Sequence, residues 1–127
     1  MIPYHIMLVD DEQDFVTINA KLLKRYGYQV SSYPDGLSAL VALEHERPDV
    51  LLLDIGMPPI DGYEVCRRLR ATVWGQTIAV IALTGYGKRE DISHAYEAGF
   101  DGHVVKPAAF DELVNLLPHW INSRRRN

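Results

Sequence analysis

At 127 residues, 47% of them hydrophobic and 24% charged, the chain has the length of one domain and a globular composition, which excludes disorder as its main state. Its formal charge of −4, from 17 acidic against 13 basic side chains, has the wrong sign for a domain devoted to direct nucleic-acid binding. No apolar run approaches the ~20 residues of a membrane helix, the N-terminus lacks a signal-peptide pattern, and the single cysteine, Cys66, has no internal partner, so a reducing, cytoplasmic setting without membrane contact is expected.

Short unbroken apolar runs alternate with amphipathic ones. Ile6–Val9, Val50–Leu53 and Ile78–Leu83 suit parallel strands covered on both faces. Gln29–Tyr33 is more polar, as an edge strand can be, and His103–Val105 is a short fifth candidate. A helical stripe of Phe15, Ile18, Leu22 and Tyr26 comes after the first run and stops at Gly27. Leu37, Leu40 and Val41 mark a second helix ending before Pro48. Val65 and Leu69 mark a third, opened by Asp61, and Ile92, Ala95 and Tyr96 a fourth, closed by Gly99. Phe110, Leu113, Val114, Leu117 and Ile121 form the cleanest stripe, inside which Pro118 predicts a kink or an early end. Strict alternation of strand and helix implies an α/β fold: one parallel sheet, right-handed crossovers, and helices on both faces.

Ligands of open α/β sheets bind beyond the carboxyl ends of the strands. Asp10 and Asp11 succeed the first run, Asp54 the third, Thr84 the fourth and Lys106, then Pro107, the fifth. Two carboxylates ~4 Å apart repel by about 4 kcal/mol at an effective dielectric of ~20, and one lysine cannot neutralise three acids. A hard divalent cation with oxygen ligands would do so, and no His or Cys stands where it would favour zinc. A carboxylate, a cation, a hydroxyl and an ammonium that converge can transfer a phosphoryl group to the carboxylate.

Six segments in register carry a family resemblance: Leu8-Val9-Asp10-Asp11-Glu12, Leu53-Asp54-Ile55-Gly56-Met57-Pro58, Asp61-Gly62-Tyr63-Glu64, Ala82-Leu83-Thr84-Gly85, Ala98-Gly99-Phe100-Asp101 and Val105-Lys106-Pro107. On these the chain resembles the receiver domain of two-component response regulators. The resemblance implies a flavodoxin-like sheet in the order 2-1-3-4-5 with five helices, over a receiver domain of residues 1–124 followed by a basic tail or linker stub at 125–127. It also implies roles. Asp54 accepts a phosphoryl group from a histidine kinase or a histidine phosphotransfer protein. Asp11, Asp54 and the Gly56 carbonyl hold Mg²⁺, with Asp10 reaching it through water. Lys106 contacts phosphoryl oxygens, Thr84 moves to bond the phosphorylated aspartate, and the Lys106–Pro107 peptide is cis. The surface of the fourth helix, fifth strand and fifth helix carries output, in a monomer or weak dimer. The wording Gly56-Met57-Pro58-Pro59, Leu83-Thr84-Gly85-Tyr86-Gly87 and Gly99-Phe100-Asp101-Gly102-His103 is most similar to receivers attached to histidine kinases, although a free-standing receiver or a relay shuttle fits the same features.

Three positions depart from the family pattern. His103 stands where an aromatic switch residue is usual, and its charge responds to pH near neutrality. Gly56 offers no side chain beside Asp54, while Tyr86 is bulky, and this pair is expected to set the lifetime of the phosphorylated state. Two other functions compete. A Mg²⁺-dependent phosphatase with an aspartate nucleophile would want a second acid where Gly56 stands, and a phosphorylation-independent pseudo-receiver would not need the complete set of acids, Thr84 and Lys106. A turnover enzyme is therefore not expected. Cys66 reads as inert packing and Arg124–Arg126 as a solvated end.

Overall fold

Strands in which every residue is apolar need cover on both faces, and the sheet is built on that requirement. The computed structural model describes residues 4–85, 89–106 and 110–125, and of 89–92 and 110–112 the backbone alone. Strands β1 (His5–Val9), β2 (Gln29–Tyr33), β3 (Val50–Asp54), β4 (Ala79–Thr84) and β5 (Gly102–Val105) pair in parallel in the order β2-β1-β3-β4-β5. They alternate with helices α1 (Gln13–Arg25), α2 (Gly36–Leu43), α3 (Gly62–Arg70), α4 (Arg89–Ala98) and α5 (Phe110–Arg125), and a 3₁₀ turn, Trp74–Thr77, precedes β4. Successive strand residues face opposite ways. Met7, Val9, Leu51, Leu53, Val80 and Ala82 pack with residues of α2, α3 and α4. Ile6, Leu8, Leu52, Ile81 and Leu83 pack with Val16 and Leu23 of α1 and with Leu113, Leu117 and Ile121 of α5. The partly exposed β2 takes the edge position that its polar composition predicted.

Three of the predicted helical stripes are rotated. In α1 the buried residues are Val16 and Leu23, whereas Ile18 is 59% exposed and Tyr26 also faces solvent. Phe15 and Leu22 flank the true stripe, so the predicted face lies one position away from the buried one. In α2 the buried residues are Gly36, Ala39 and Leu43, while Leu37 and Val41 point outward. In α4 the predicted Ala95 is buried together with Ala98, Tyr96 is exposed, and the Ile92 side chain lies outside the described residues. The reason is the same in both of these helices. Small residues, Gly36 and Ala39 in α2 and Ala95 and Ala98 in α4, let the helix pack closely, and Leu37, Val41 and Tyr96 are left on the rim.

The predicted stop glycines hold: Gly27 (φ 95°) and Gly99 (φ 107°) take up the left-handed backbone at the ends of α1 and α4. Pro118 does not end α5, which runs on to Arg125. Leu117 and Ile121, buried on either side of the proline, tie both halves of the helix to the sheet. Arg124 pairs with Asp101 at 3.6 Å and Arg125 with Asp49, so the helix reaches one residue into the segment expected to be tail, and part of the arginine run is anchored rather than solvated. Among the described residues no helix is long and apolar enough to cross a membrane.

Candidate functional site

The strand order reverses between β1 and β3, and the register sets Val9 beside Leu53, Asp54 beside Leu83, and Thr84 beside Val105. The residues at the carboxyl ends of these four strands must therefore share one sheet edge. Asp10 is wholly buried, Asp54 is partly buried and Asp11 is exposed, and each offers a carboxylate oxygen within 4.8 Å of the other two. Asp10 is fixed on both sides, because its Oδ1 accepts the Glu12 N–H at 2.9 Å and its Oδ2 lies 2.6 Å from Lys106 Nζ. Asp54 Oδ1 accepts the Gly56 N–H at 3.0 Å, and its Oδ2 lies 3.7 Å from Lys106 Nζ. The lysine is placed by its backbone, whose N–H donates to the Thr84 carbonyl at 2.8 Å.

The electrostatics are unbalanced. Burial, then the charges of Asp10 and Asp11, hold the Asp54 carboxyl above the ordinary carboxylate range, although the Gly56 N–H and Lys106 favour the ionised form. For Lys106, burial pulls the ammonium down, but its bond to Asp10 and the charges of Asp54 and Asp10 raise it above its usual value, so it stays a cation. Three carboxylates and one ammonium leave a surplus of negative charge. The donor set is all oxygen, which suits a hard cation such as Mg²⁺ rather than zinc.

Of the residues singled out in the sequence, Asp10, Asp11, Asp54 and Lys106 converge. Thr84 lies at the same edge and is buried, but its hydroxyl faces the Val104 carbonyl at a long 3.5 Å rather than Asp54, a contact too weak to hold it firmly. Gly56 sits beside Asp54 through its N–H, and a Cβ there would meet Asp54 Oδ1 only at 3.8 Å. The His103 ring stands edge-on to Tyr96 at 6.4 Å, and its Nδ1 is buried with no hydrogen-bond partner among the described residues. Tyr86, and Pro107 with its expected cis peptide, lie outside the described residues. The Cys66 thiol, pushed up to about 11 by burial, is no nucleophile.

Sequence reasoning missed three contributors. Glu12 Oε1 lies 3.2 Å from Lys106 Nζ, and the Phe15 ring centroid lies 4.8 Å from the same atom; neither partnership has a local sequence signal. The third is Gly62, which the sequence presents only as the neighbour of the helix-opening Asp61. Asp61 does cap α3, accepting the Glu64 N–H at 2.9 Å. Gly62 itself donates to the Ile55 carbonyl at 3.2 Å, and a Cβ there would stand 2.6 Å from the Asp54 carbonyl oxygen and 2.8 Å from Ile55 Cα. Both obstacles are backbone, so Gly62→Ala must push the Asp54–Ile55 segment aside. The expected cost is about 1–3 kcal/mol, read as a lower urea midpoint with an unchanged slope.

Comparison with known proteins gives one answer. The profile of the response regulator receiver domain matches residues 6–118. A 14.6 kDa protein in the sodA1 3′ region of Leptolyngbya boryana is 36% identical over 91% of this chain and 88% of its own length. The transcriptional regulatory protein CseB of Streptomyces coelicolor is 37% identical over 87% of this chain but only 45% of its own, so the chain spans less than half of that longer relative. Among solved structures, the receiver domain of sensor histidine kinase PA1611 from Pseudomonas aeruginosa PAO1, crystallised with magnesium in its active-site cleft, superposes with a TM-score of 0.87 at 32% identity, covering 95% of this chain and 99% of that one.

Proposed function

The chain belongs to the response regulator receiver domain family, and from that premise we propose that it accepts a phosphoryl group on Asp54 from a phosphohistidine of a histidine kinase or phosphotransfer protein. The single observation that carries this reading is the convergence of Asp10, Asp11, Asp54 and Lys106 at the strand ends flanking the reversal in strand order. In the transfer the Asp54 carboxylate attacks phosphorus, the phosphorus–nitrogen bond to the donor imidazole breaks, and an acyl phosphate forms. Asp10, Asp11 and Asp54, with the Gly56 carbonyl, would hold Mg²⁺, which when bound supplies positive charge to the phosphoryl oxygens. The Gly56 N–H fixes one carboxylate oxygen, and Lys106 stands close enough to the other to follow the new charge.

The added group brings about −1.5 to −2 charges and three acceptor oxygens. Lys106, drawn from its present partners, and the loosely held Thr84 hydroxyl are the groups placed to turn toward them, shifting the segment after Thr84 and α4. Output then passes through the surface of α4, β5 and α5, in which His103 is a switch candidate, while Gly56 and Tyr86 set the lifetime of the acyl phosphate. The protein acts as a switch and not as a turnover enzyme.

Acetyl phosphate with Mg²⁺ tests this. One equivalent of a base-labile acyl phosphate is expected by intact mass, none in Asp54→Ala protein, with backbone NMR shifts at residues 84–85, 93–98 and 102–106 moving on beryllofluoride addition. Multiple turnover of a small phosphomonoester would instead support a phosphatase, and unmoved shifts would remove the switch.

A further inference from the structure

Lys106 is shared unequally. Its ammonium lies 2.6 Å from Asp10, 3.2 Å from Glu12 and 4.8 Å from the Phe15 ring centroid, and the 3.7 Å to Asp54 is the longest of its ion pairs. The three partners other than Asp54 all come from the β1–α1 junction, residues 10–15. They are not equivalent. Asp10 is wholly buried, so losing the ammonium would strand its charge in the interior. The Glu12 side chain is 65% exposed, and a rim ion pair of that kind is weak and easily broken. Glu12 occupies the N-cap position of α1, yet its side chain makes no capping hydrogen bond. The carboxylate is therefore not committed to the helix and is free for the lysine.

Building on the reading of Asp54 as acceptor, we propose that Glu12 is a positioning residue which, with the Phe15 ring, holds the Lys106 ammonium on the β1–α1 side of the acidic pocket, so that phosphoryl acceptance must draw the lysine away from it. The phosphoryl oxygens and Glu12 then compete for one cation. Because the contact is weak, Glu12 restrains the reaction without blocking it. It also adds a negative charge at the mouth of the site, which opposes an anionic donor in the same sense.

The Glu12→Gln protein decides this in two measurements. In metal-free, unphosphorylated protein, ¹³C relaxation of the Lys106 Cε methylene is expected to show greater mobility than in wild type. With acetyl phosphate and saturating Mg²⁺, acyl phosphate is expected to form roughly 1.4–5-fold faster, the range a broken exposed ion pair supports. Phe15→Leu, which removes the aromatic seat and leaves the charge, is expected to loosen the same methylene. An unchanged Lys106 methylene in Glu12→Gln protein, or a loosened one with no faster acceptance, overturns the role of Glu12. Wild-type protein that gains no acyl phosphate overturns the reading of Asp54 itself, so the two failures are distinguishable.

Discussion

Arg70→Ala is expected to cost the fold about 3–5 kcal/mol, a large part of the roughly 5–15 kcal/mol by which a domain is stable. Arg70 ends α3 at the edge of the sheet opposite the acidic cluster. Its guanidinium donates to the Gly75 carbonyl at 2.7 Å, to the Ile78 carbonyl at 2.6 Å, to the Gly99 carbonyl at 2.9 and 3.0 Å, and to Asp101 Oδ2 at 2.9 Å. Asp101 in turn accepts the Val80 N–H at 2.9 Å and faces Arg124 at 3.6 Å. One side chain thus joins the end of α3, the entry to β4, the end of α4 and the segment entering β5. Its side chain is only 12% exposed and that of Asp101 18%, so truncation leaves the Asp101 carboxylate with only the more distant Arg124 as counter-charge and takes the donor from three carbonyls in a poorly hydrated place. Lysine cannot substitute, because a point charge does not serve four divergent acceptors. Arg70→Lys should recover less than half of the loss in urea unfolding. Arg70→Met with Asp101→Asn should cost clearly less than the two single changes added, because the double variant removes both charges of the closest pair and only the 3.6 Å contact to Arg124 is lost besides. Arg70→Lys protein as stable as wild type would show that the fork geometry is irrelevant.

That clamp marks the boundary of what sequence reading could reach. The parallel pairing and the four converging residues were legible because each depends on position along the chain: an apolar run flanked by helices reads as a buried strand, and the residue after it must emerge at a known edge; the strand order came only with the family resemblance. Arg70 carried no such signal. It stands in Arg67-Arg68-Leu69-Arg70, which reads as a charged helix end, and its acceptors are mostly backbone carbonyls up to 29 residues away. The helix faces failed for a related reason. Whether Ala39 or Leu40, Ala95 or Tyr96 meets the sheet is decided by how closely the helix can approach, and size along a stripe does not report that distance. Glu12 and Phe15 were hidden because their partner, Lys106, is 94 residues from Glu12. Only the fold brings the ends of β1 and β5 to the same lysine.

Asp54→Asn is expected to stabilise the metal-free protein while removing most of its response to Mg²⁺, two effects of opposite sign from one atom replaced. Burial and the neighbouring acids Asp10 and Asp11 raise the Asp54 pKa in the folded chain. A carboxyl whose folded pKa lies above its unfolded value contributes stability below the unfolded pKa and loses it as pH rises through the folded one. At pH 7 the ionised Asp54 therefore works against folding, and the isosteric amide removes that charge. Each kcal/mol recovered should raise Tm by roughly 3–6 °C in a domain of this size, and the gain should shrink toward zero as the pH falls below the ordinary carboxylate range, where wild-type Asp54 is protonated too. Cation binding acts on the same surplus charge from the other side. At a hundred times its dissociation constant a ligand adds about 2.7 kcal/mol, so wild-type protein should gain several degrees on Mg²⁺ addition and Asp54→Asn protein, with one anionic ligand fewer, much less. Phosphoryl acceptance by wild type should fall over the acid range where Asp54 takes up its proton, because only the carboxylate attacks. Asp54→Asn protein no more stable than wild type in chelator at pH 7 would mean that Lys106 already balances the acidic cluster, and the electrostatic case for a cation at this edge would go with it.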